Sequence, residues 1–547
     1  MHSFWFIKGG APMSGKQQGL RYFQKFLNSK ASERNALAKK VLRYVLAVGF
    51  VLSPWLGGEA YADAGIVRVD NITLPNSLDK TYLQNGSNVA HIYAEQASGD
   101  VGLNRFKTFE VGAGQIANLY FKTSATDTNH LNTLVNTVQE QISISGTVNG
   151  IKDGNVGGNL YFLSPAGMVI GSTGVINAGS LTVMTTGVDD IKHPAAALSQ
   201  IGYVYRPLGN SPITIQGKIN TANGIDLRSL SIEISKNANG DIPCLKTGMV
   251  FNSVVNTDGL VNSVSLQYEG SASGNGELQL KRSDSTDTKI NLVAYKYAED
   301  TYGDLVKSFG NITLSGCELD AIGDIEIDAG NSLTIDSANL KSKDLIKMDF
   351  YHDNNNVFYG DLTFNSGKIE ADGLVDIRVG KTITIGNNAE IISSITKDVT
   401  TDKVTLMTSV GDITNNGTIS TNTSLNIQAG VNRGSDNASI TNSGTIHATG
   451  GGMSFAVDKS LTNTGMIQDD DEIAFRVGGT LTNQGTIQST SSNVQAHIGR
   501  DFKNIAVPDT SEISQLTGGI IEAGGNVQVD YNLDTKHTYI GVATPET

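Results

Sequence analysis

The sequence predicts an all-β protein, a right-handed, single-stranded parallel β-helix with an N-terminal cap. Three observations predict it: a seven-residue pattern recurring about every twenty residues, many short alternating strands that end at Gly, and a composition of many β-formers and few charges. The 547 residues include 61 Gly and only 10 Pro, and 17% are charged. That balance suits a sheet-rich solenoid and not a disordered chain.

The repeat reads Ile413-Thr-Asn-Asn-Gly-Thr-Ile419, Ile440-Thr-Asn-Ser-Gly-Thr-Ile446, Leu461-Thr-Asn-Thr-Gly-Met-Ile467 and Leu481-Thr-Asn-Gln-Gly-Thr-Ile487. Successive copies start 27, 21 and 20 residues apart, and the longest interval holds a polar loop, Asn432 to Ala438. Such a period is too short for a helical pair and fits one β-helix turn of two or three strands. The first and last apolar residues of each copy, such as Leu481 and Ile487, are expected inside, with Gly485 turning the chain between them. Asn415, Asn442, Asn463 and Asn483 hold one position in successive turns, where their amides can hydrogen-bond along the stack.

The same texture appears upstream in Ile213-Thr-Ile-Gln-Gly-Lys-Ile219, Ile312-Thr-Leu-Ser-Gly316, Leu333-Thr-Ile335, Leu362-Thr-Phe-Asn-Ser-Gly367 and Ile383-Thr-Ile-Gly386. Residues from about Asp226 to Phe309 fit it worst and are expected to form an insertion. Leu131, Leu134, Val135 and Val138 follow helical spacing after a Thr/Asn start, which predicts a short helix or a core segment. The expected divisions are a signal region 1–62, an N-terminal domain 63–205, an irregular β-helix 206–400 with an insertion at about 226–309, and regular repeats 401–547.

Charge is unevenly distributed. Residues 1–62 carry nine Lys and Arg against Glu33 and Glu59, then an apolar run from Tyr44 to Leu56 and Ala60-Tyr61-Ala62. Basic region, apolar core and Ala-x-Ala are the parts of a secretory signal, with cleavage expected between Ala62 and Asp63. Translation from Met1 or from Met13 fits equally. The net charge of −14 argues against nucleic acid as a partner, since phosphate binding needs a basic stripe. Cys244 and Cys317 lack metal-ligand spacing, and an oxidising compartment leaves their pairing open.

Two stretches carry the most specific signal: Gly102-Leu-Asn-Arg-Phe-Lys-Thr-Phe-Glu-Val111, and Gly157-Gly-Asn-Leu-Tyr-Phe-Leu-Ser-Pro-Ala-Gly-Met-Val-Ile-Gly171 followed by Gly174-Val-Ile-Asn-Ala-Gly-Ser-Leu181. They resemble the secretion domain of the filamentous haemagglutinin superfamily, exported by the two-partner pathway, and within it look most like the leukotoxin-type filamentous adhesins. The resemblance covers residues 63–205 and extends loosely over the later repeats. Against the family form Gly-x-Asn-x-Phe-x-x-Phe-Asn-Val, Asn104, Phe106, Phe109 and Val111 match and Glu110 replaces the second Asn. Against Asn-Pro-Asn-Gly-Ile, the chain has Ser164, Pro165, Ala166, Gly167 and Met168. Pro165 and Gly167 preserve the tight turn, whereas the side-chain hydrogen bonds of the two Asn are expected to be lost. The resemblance implies that these residues, with Asn159, form the secretion motif. It further implies a separate outer-membrane transporter barrel as partner, a host or bacterial surface receptor or glycan as target, and a secreted or cell-surface location.

Signals of catalysis are sparse. The dense acidic runs are Asp189-Asp190 and Asp469-Asp470-Asp471-Glu472, the latter expected to be a solvated loop. The histidines are scattered, and no zinc spacing, nucleophile elbow or P-loop occurs. A β-helix lyase or hydrolase needs carboxylates and a basic residue stacked on one face at rung spacing, and the sequence displays no such column. No cofactor is expected. The other reading, a carrier for a C-terminal toxin, finds no compositionally distinct tail in this sequence.

Overall fold

The structure, a computed structural model, describes residues 67–68, 89–185, 211–249, 251–253, 266–267, 288–299, 305–350, 359–395, 403–430, 437–505, 507–508, 516–517 and 519–531. The signal region with Ala60, Ala62 and Asp63 lies outside the described residues. The described residues form 49 strands and no helix.

The strands stack in parallel, each on the strand about one turn earlier, so the chain is a parallel β-helix. The last turns show the plan. Ile413–Asn415, Ser439–Asn442, Ser460–Asn463, Thr480–Asn483 and Phe502–Asn504 form one ladder. Thr418–Thr421, Thr445–Ala448, Met466–Asp469, Thr486–Ser489 and Ile520–Ala523 form a second. Ser424–Ala429, Met453–Val457, Ile473–Val477, Val494–Ile498 and Val527–Tyr531 form the third. Leu461 stacks on Leu481 and Ile467 on Ile487, all four buried, as the repeat alignment predicts. Alternation within each strand sends Ile and Leu inward, and each turn extends one continuous apolar core.

The glycine of each repeat lies in the bend between two strands, as expected, and stacking of the turns adds a second constraint there. A Cβ on Gly444, Gly465 or Gly485 would lie 2.0 Å from the carbonyl oxygen of the glycine one turn earlier. None of the three has a positive φ. Close stacking of the corner, and not an unusual backbone angle, excludes a side chain there.

Outside the core, one ladder presents a threonine per turn: Thr313, Thr334, Thr363 and Thr384, then Thr414, Thr441, Thr462 and Thr482. Stiff, β-branched side chains suit these outward, half-exposed positions on a pleated surface.

Two expectations change. Of the two readings of Leu131–Val138, the core segment holds and the helix does not: the stretch contains the strand Thr133–Val138, with Leu131, Leu134 and Val138 in the core. Parallel pairing to Val101–Val111 and Asn159–Ser164 overrides the local helical spacing. The departure from the ladder is also narrower than 226–309. Ile225–Arg228, Ser231–Ser235, Cys244–Lys246 and the start of Ile290–Glu299 all stack in register. What leaves the ladder includes an antiparallel extension in which Tyr295–Glu299 pairs with Leu305–Phe309. At the N-terminal end, Val67–Arg68 and Gln96–Ser98 both run antiparallel to Val101–Val111, a cap-like departure from the parallel stack.

Candidate functional site

The first three turns hold the residues of the two resembling motifs. The first turn contains Val89–Tyr93 and Val101–Val111. The second contains Ile116–Tyr120, Thr133–Val138 and Ile142–Ile144, and the third Thr147–Lys152, Asn159–Ser164 and Met168–Ile170.

Asn104 is fully buried and sits opposite Asn136 in the adjoining turn. Its Oδ1 accepts from the Glu95 N–H at 3.0 Å, and its Nδ2 donates to Asn136 Oδ1 at 3.0 Å. Asn136 Nδ2 in turn donates to the Tyr161 carbonyl at 3.1 Å. One amide thus ties the chain entering the first turn to the second, and the second ties to the third. Arg105 beside it forms an ion pair with Glu95. Phe106 and Phe109 meet edge-on at 5.2 Å, and Phe109 meets Phe162 in the same way at 5.2 Å. The two motifs, far apart in sequence, therefore share one aromatic cluster in the core. Glu110 faces outward between buried Phe109 and Val111, opposite Ser143, so its departure from the family pattern removes no core contact. Asn159 lies half-buried at the edge and accepts a hydrogen bond from Ser180 Oγ at 2.7 Å.

The Ser164–Met168 turn keeps more than its shape. Ser164 Oγ accepts from the Ala166 N–H at 3.1 Å and donates to the Glu140 carbonyl at 2.9 Å. A serine hydroxyl therefore closes the turn through its own side chain, at the position where the family form has its first Asn. Gly167 has φ of 84°, and a Cβ there would lie 2.2 Å from the Pro212 carbonyl oxygen. Pro165 accepts from Ser211 Oγ at 2.6 Å, and Met168 N donates to the Pro212 carbonyl at 3.2 Å. The turn is stitched to the turns on both sides of it.

The repeat ladder has the expected geometry. Asn415, Asn442, Asn463 and Asn483 are buried, and each Nδ2 donates to the Oδ1 of the next asparagine at 2.7 to 2.9 Å, the last reaching Asn504. Sequence reading missed a second ladder on Asn118, Asn149, Asn177 and Asn220, with bonds of 2.9 to 3.0 Å. Its turns are of unequal length, so no fixed period marks it.

The stacked charges that the sequence does not display are present. Asp226 and Arg228, Glu326 and Asp328, Lys347 and Asp349, and Asp376 and Arg378 occupy two outward columns of one sheet. They come from turns separated by long segments, which hides the column. Ion pairs run along them: Asp226 with Arg228 at 2.8 Å, Glu326 with Lys289 at 3.1 Å, Asp349 with Lys347 at 2.9 Å and Asp376 with Arg378 at 2.9 Å. Each cation neutralises acids beside it, the arrangement that keeps like charges from stacking.

The acidic run at 469–472 is not all solvated. Asp469 is fully buried, and burial pushes its carboxyl up to about 6. Asp471 N–H donates to its Oδ1 at 3.0 Å, while its Oδ2 is buried with no hydrogen-bond partner. Cys244 and Cys317 are free and buried. Cys317 belongs to the core, whereas Cys244 stands in the outward column between Lys218 and Glu318. Burial pushes both thiols up to about 12. Among the described residues, no three His, Cys, Asp or Glu side chains are grouped to hold a metal ion. No protein-family model matches the chain, and no curated protein matches it.

Proposed function

We propose that the chain is a bacterial adhesin or exoprotein, exported across the outer membrane by a separate two-partner transporter barrel, that contacts host or neighbouring cells through its β-helix. The observation that carries this reading is the convergence of the two resembling motifs: Phe109 and Phe162 touch in the core of the first turns, and Asn104 ties those turns together. A pore that passes unfolded chain must read short segments before they fold, and Asn104 is accessible only then. Folding outside, turn by turn, then buries apolar surface and opposes return through the pore.

The test is expression in a two-membrane bacterium with and without a two-partner transporter. Secretion is expected only with the transporter. Deletion of Ser164–Met168 is expected to leave the chain between the membranes with its signal removed. Secretion of the deletion variant at wild-type level contradicts the reading, as does secretion without any transporter.

The paired-charge columns favour one second reading, a β-helix enzyme acting on polysaccharide, because Glu326, Lys347 and Asp376 stack in successive turns and Asp349 stacks on Arg378 beside them. Release of reducing ends from acidic and neutral polysaccharides, abolished by Asp349→Asn, supports it; no release from any of them refutes it.

A further inference from the structure

We propose that Asp469 is a proton-dependent clasp between two turns: protonated, its Oδ2 donates to the Gly450 carbonyl of the preceding turn, and loss of the proton releases that corner. The clasp is separate from export and from surface contact, and its test uses the purified chain.

Asp469 stands in a buried column at the ends of the second-ladder strands and of the strands upstream that stack with them. Every other turn from Ala321 to Ser489 places alanine, serine or threonine there. The serines share one bonding rule. Each donates to the carbonyl two residues past its opposite number in the preceding turn. Ser342, opposite Ala321, donates to Gly323 at 2.7 Å. Ser393, opposite Ala371, donates to Gly373 at 2.6 Å, and Ser489, opposite Asp469, to Asp471 at 2.7 Å. Column hydroxyls also accept a backbone N–H of the corner that they open: Ser342 from Asp344 N at 2.9 Å, Thr421 from Thr423 N at 3.1 Å and Ser489 from Ser492 N at 3.1 Å. A hydroxyl in this column thus fastens its own corner and the one before it.

Asp469 performs the first half of this. Its Oδ1 accepts from Asp471 N at 3.0 Å. An ionised carboxylate has no proton to give, so the second half fails, and Oδ2 is left buried without a partner. Protonation supplies the missing donor. Asp469 lies opposite Ala448, so the rule of the column selects the Gly450 carbonyl. The next carbonyl, that of Gly451, already accepts from Ser424 Oγ at 2.6 Å. A metal ion is a poorer occupant, because the neighbouring acids are engaged elsewhere. Asp470 Oδ1 accepts from Thr490 Oγ1 at 3.1 Å, and Asp471 Oδ1 from Glu472 N at 2.9 Å.

The surroundings favour the proton. Burial opposes charge on Asp469 most, the backbone N–H groups of Asp471 and Asp470 support it, and the carboxylates of the same two residues repel it. Glu472, the last acid of the corner, is half-exposed. On the preceding strand His447 faces outward against Gln468. On the strand after the corner Arg476 faces outward between Ala456 and His497. The following strand, Thr486–Ser489, carries no titratable group. The clasp is therefore closed below about 6 and open above it.

Carbonyl NMR on the purified, glycine-labelled full chain tests this, because Gly450 precedes Gly451 and its carbonyl is read through the next amide. The Gly450 carbonyl resonance is expected to move downfield as pH falls from about 7.5 to about 4.5, since a donor polarises the C=O bond. Its midpoint is expected near 6. Asp469→Asn and Asp469→Ser carry a donor at every pH, and each is expected to hold the resonance at its acid position throughout. Asp469→Ala, a residue that the column already accepts, is expected to hold it at the alkaline position. A Gly450 carbonyl that does not titrate in folded wild type overturns the proposal, whether or not any variant folds. So does an Asn or Ser variant at the alkaline position. A titration that survives in Asp469→Ala overturns it too, because another acid is then responsible.

Discussion

At the scale of single residues, Asp469 is a cost that the fold carries at neutral pH. Its carboxyl is raised to about 6 by burial, so it stabilises the fold least when ionised. Stability from its protonated form is fully present below the unfolded value near 4 and is lost as pH rises through about 6. Asp469→Asn is therefore expected to raise stability at pH 7.5 by about 1 to 2 kcal/mol, screening by nearby water limiting the gain, and to give no gain at pH 4. Melting curves at the two pH values check this, and an equal gain at both contradicts it. The cysteines offer a second test. With both thiols near 12, only about one in ten thousand is ionised at pH 8, and a thiol reagent is expected to find neither in native protein and both after denaturation. Rapid native labelling, or a disulfide in native protein folded under oxidising conditions, contradicts the assignment of Cys317 to the core and Cys244 to the outward column.

At the scale of the strand and its turn, the corner of the repeat leaves no room. Gly465→Ala would place its Cβ 2.0 Å from the Gly444 carbonyl oxygen, and separating the turns to admit it is expected to cost about 3 kcal/mol. Ile487→Asp, which buries an unpaired charge in the core, is expected to cost several kcal/mol more than a surface change. Denaturant titration measures both, and a loss under about 0.5 kcal/mol for either contradicts the register. This corner was legible in the sequence because four near-identical copies align on one period. The second Asn ladder, Asn118 to Asn220, and the charged columns were not, because loops and insertions separate their turns and erase the period. The core character of Leu131 to Val138 is legible, but their apolar spacing suits a helix as well as the strand Thr133–Val138, and only the neighbours in the stack decide. Asp469 was misread because its acidic neighbours mark a loop. Its own position, stacked between Ala448 and Ser489, is fixed by turns far along the chain. In the second resembling motif, the identity of Ser164, Pro165 and Gly167 announces the turn, but the hydroxyl bond from Ser164 to Glu140 depends on the preceding turn of the stack.

At the scale of the whole molecule, each turn touches mainly its neighbours, so damage is expected to stay local. The central claim is that the first turns are read by a transporter while the later turns only add stable stack. Asn104 and Asn483 separate these roles, because they are matched in kind. Both are fully buried, and each bonds to a neighbouring asparagine, at 3.0 and 2.9 Å. Replacing either by Ala leaves buried polar groups unpaired and is expected to cost about 1 to 3 kcal/mol. Loss of stability alone therefore predicts equal effects on routing. The direct measurement is the fraction of each variant, Asn104→Ala and Asn483→Ala, that reaches the medium in a bacterium carrying the transporter. The predicted result is that Asn104→Ala accumulates between the two membranes with its signal removed, while Asn483→Ala is secreted and melts earlier. Equal secretion of the two variants would contradict the claim and leave Asn104 as a structural residue of the first turn.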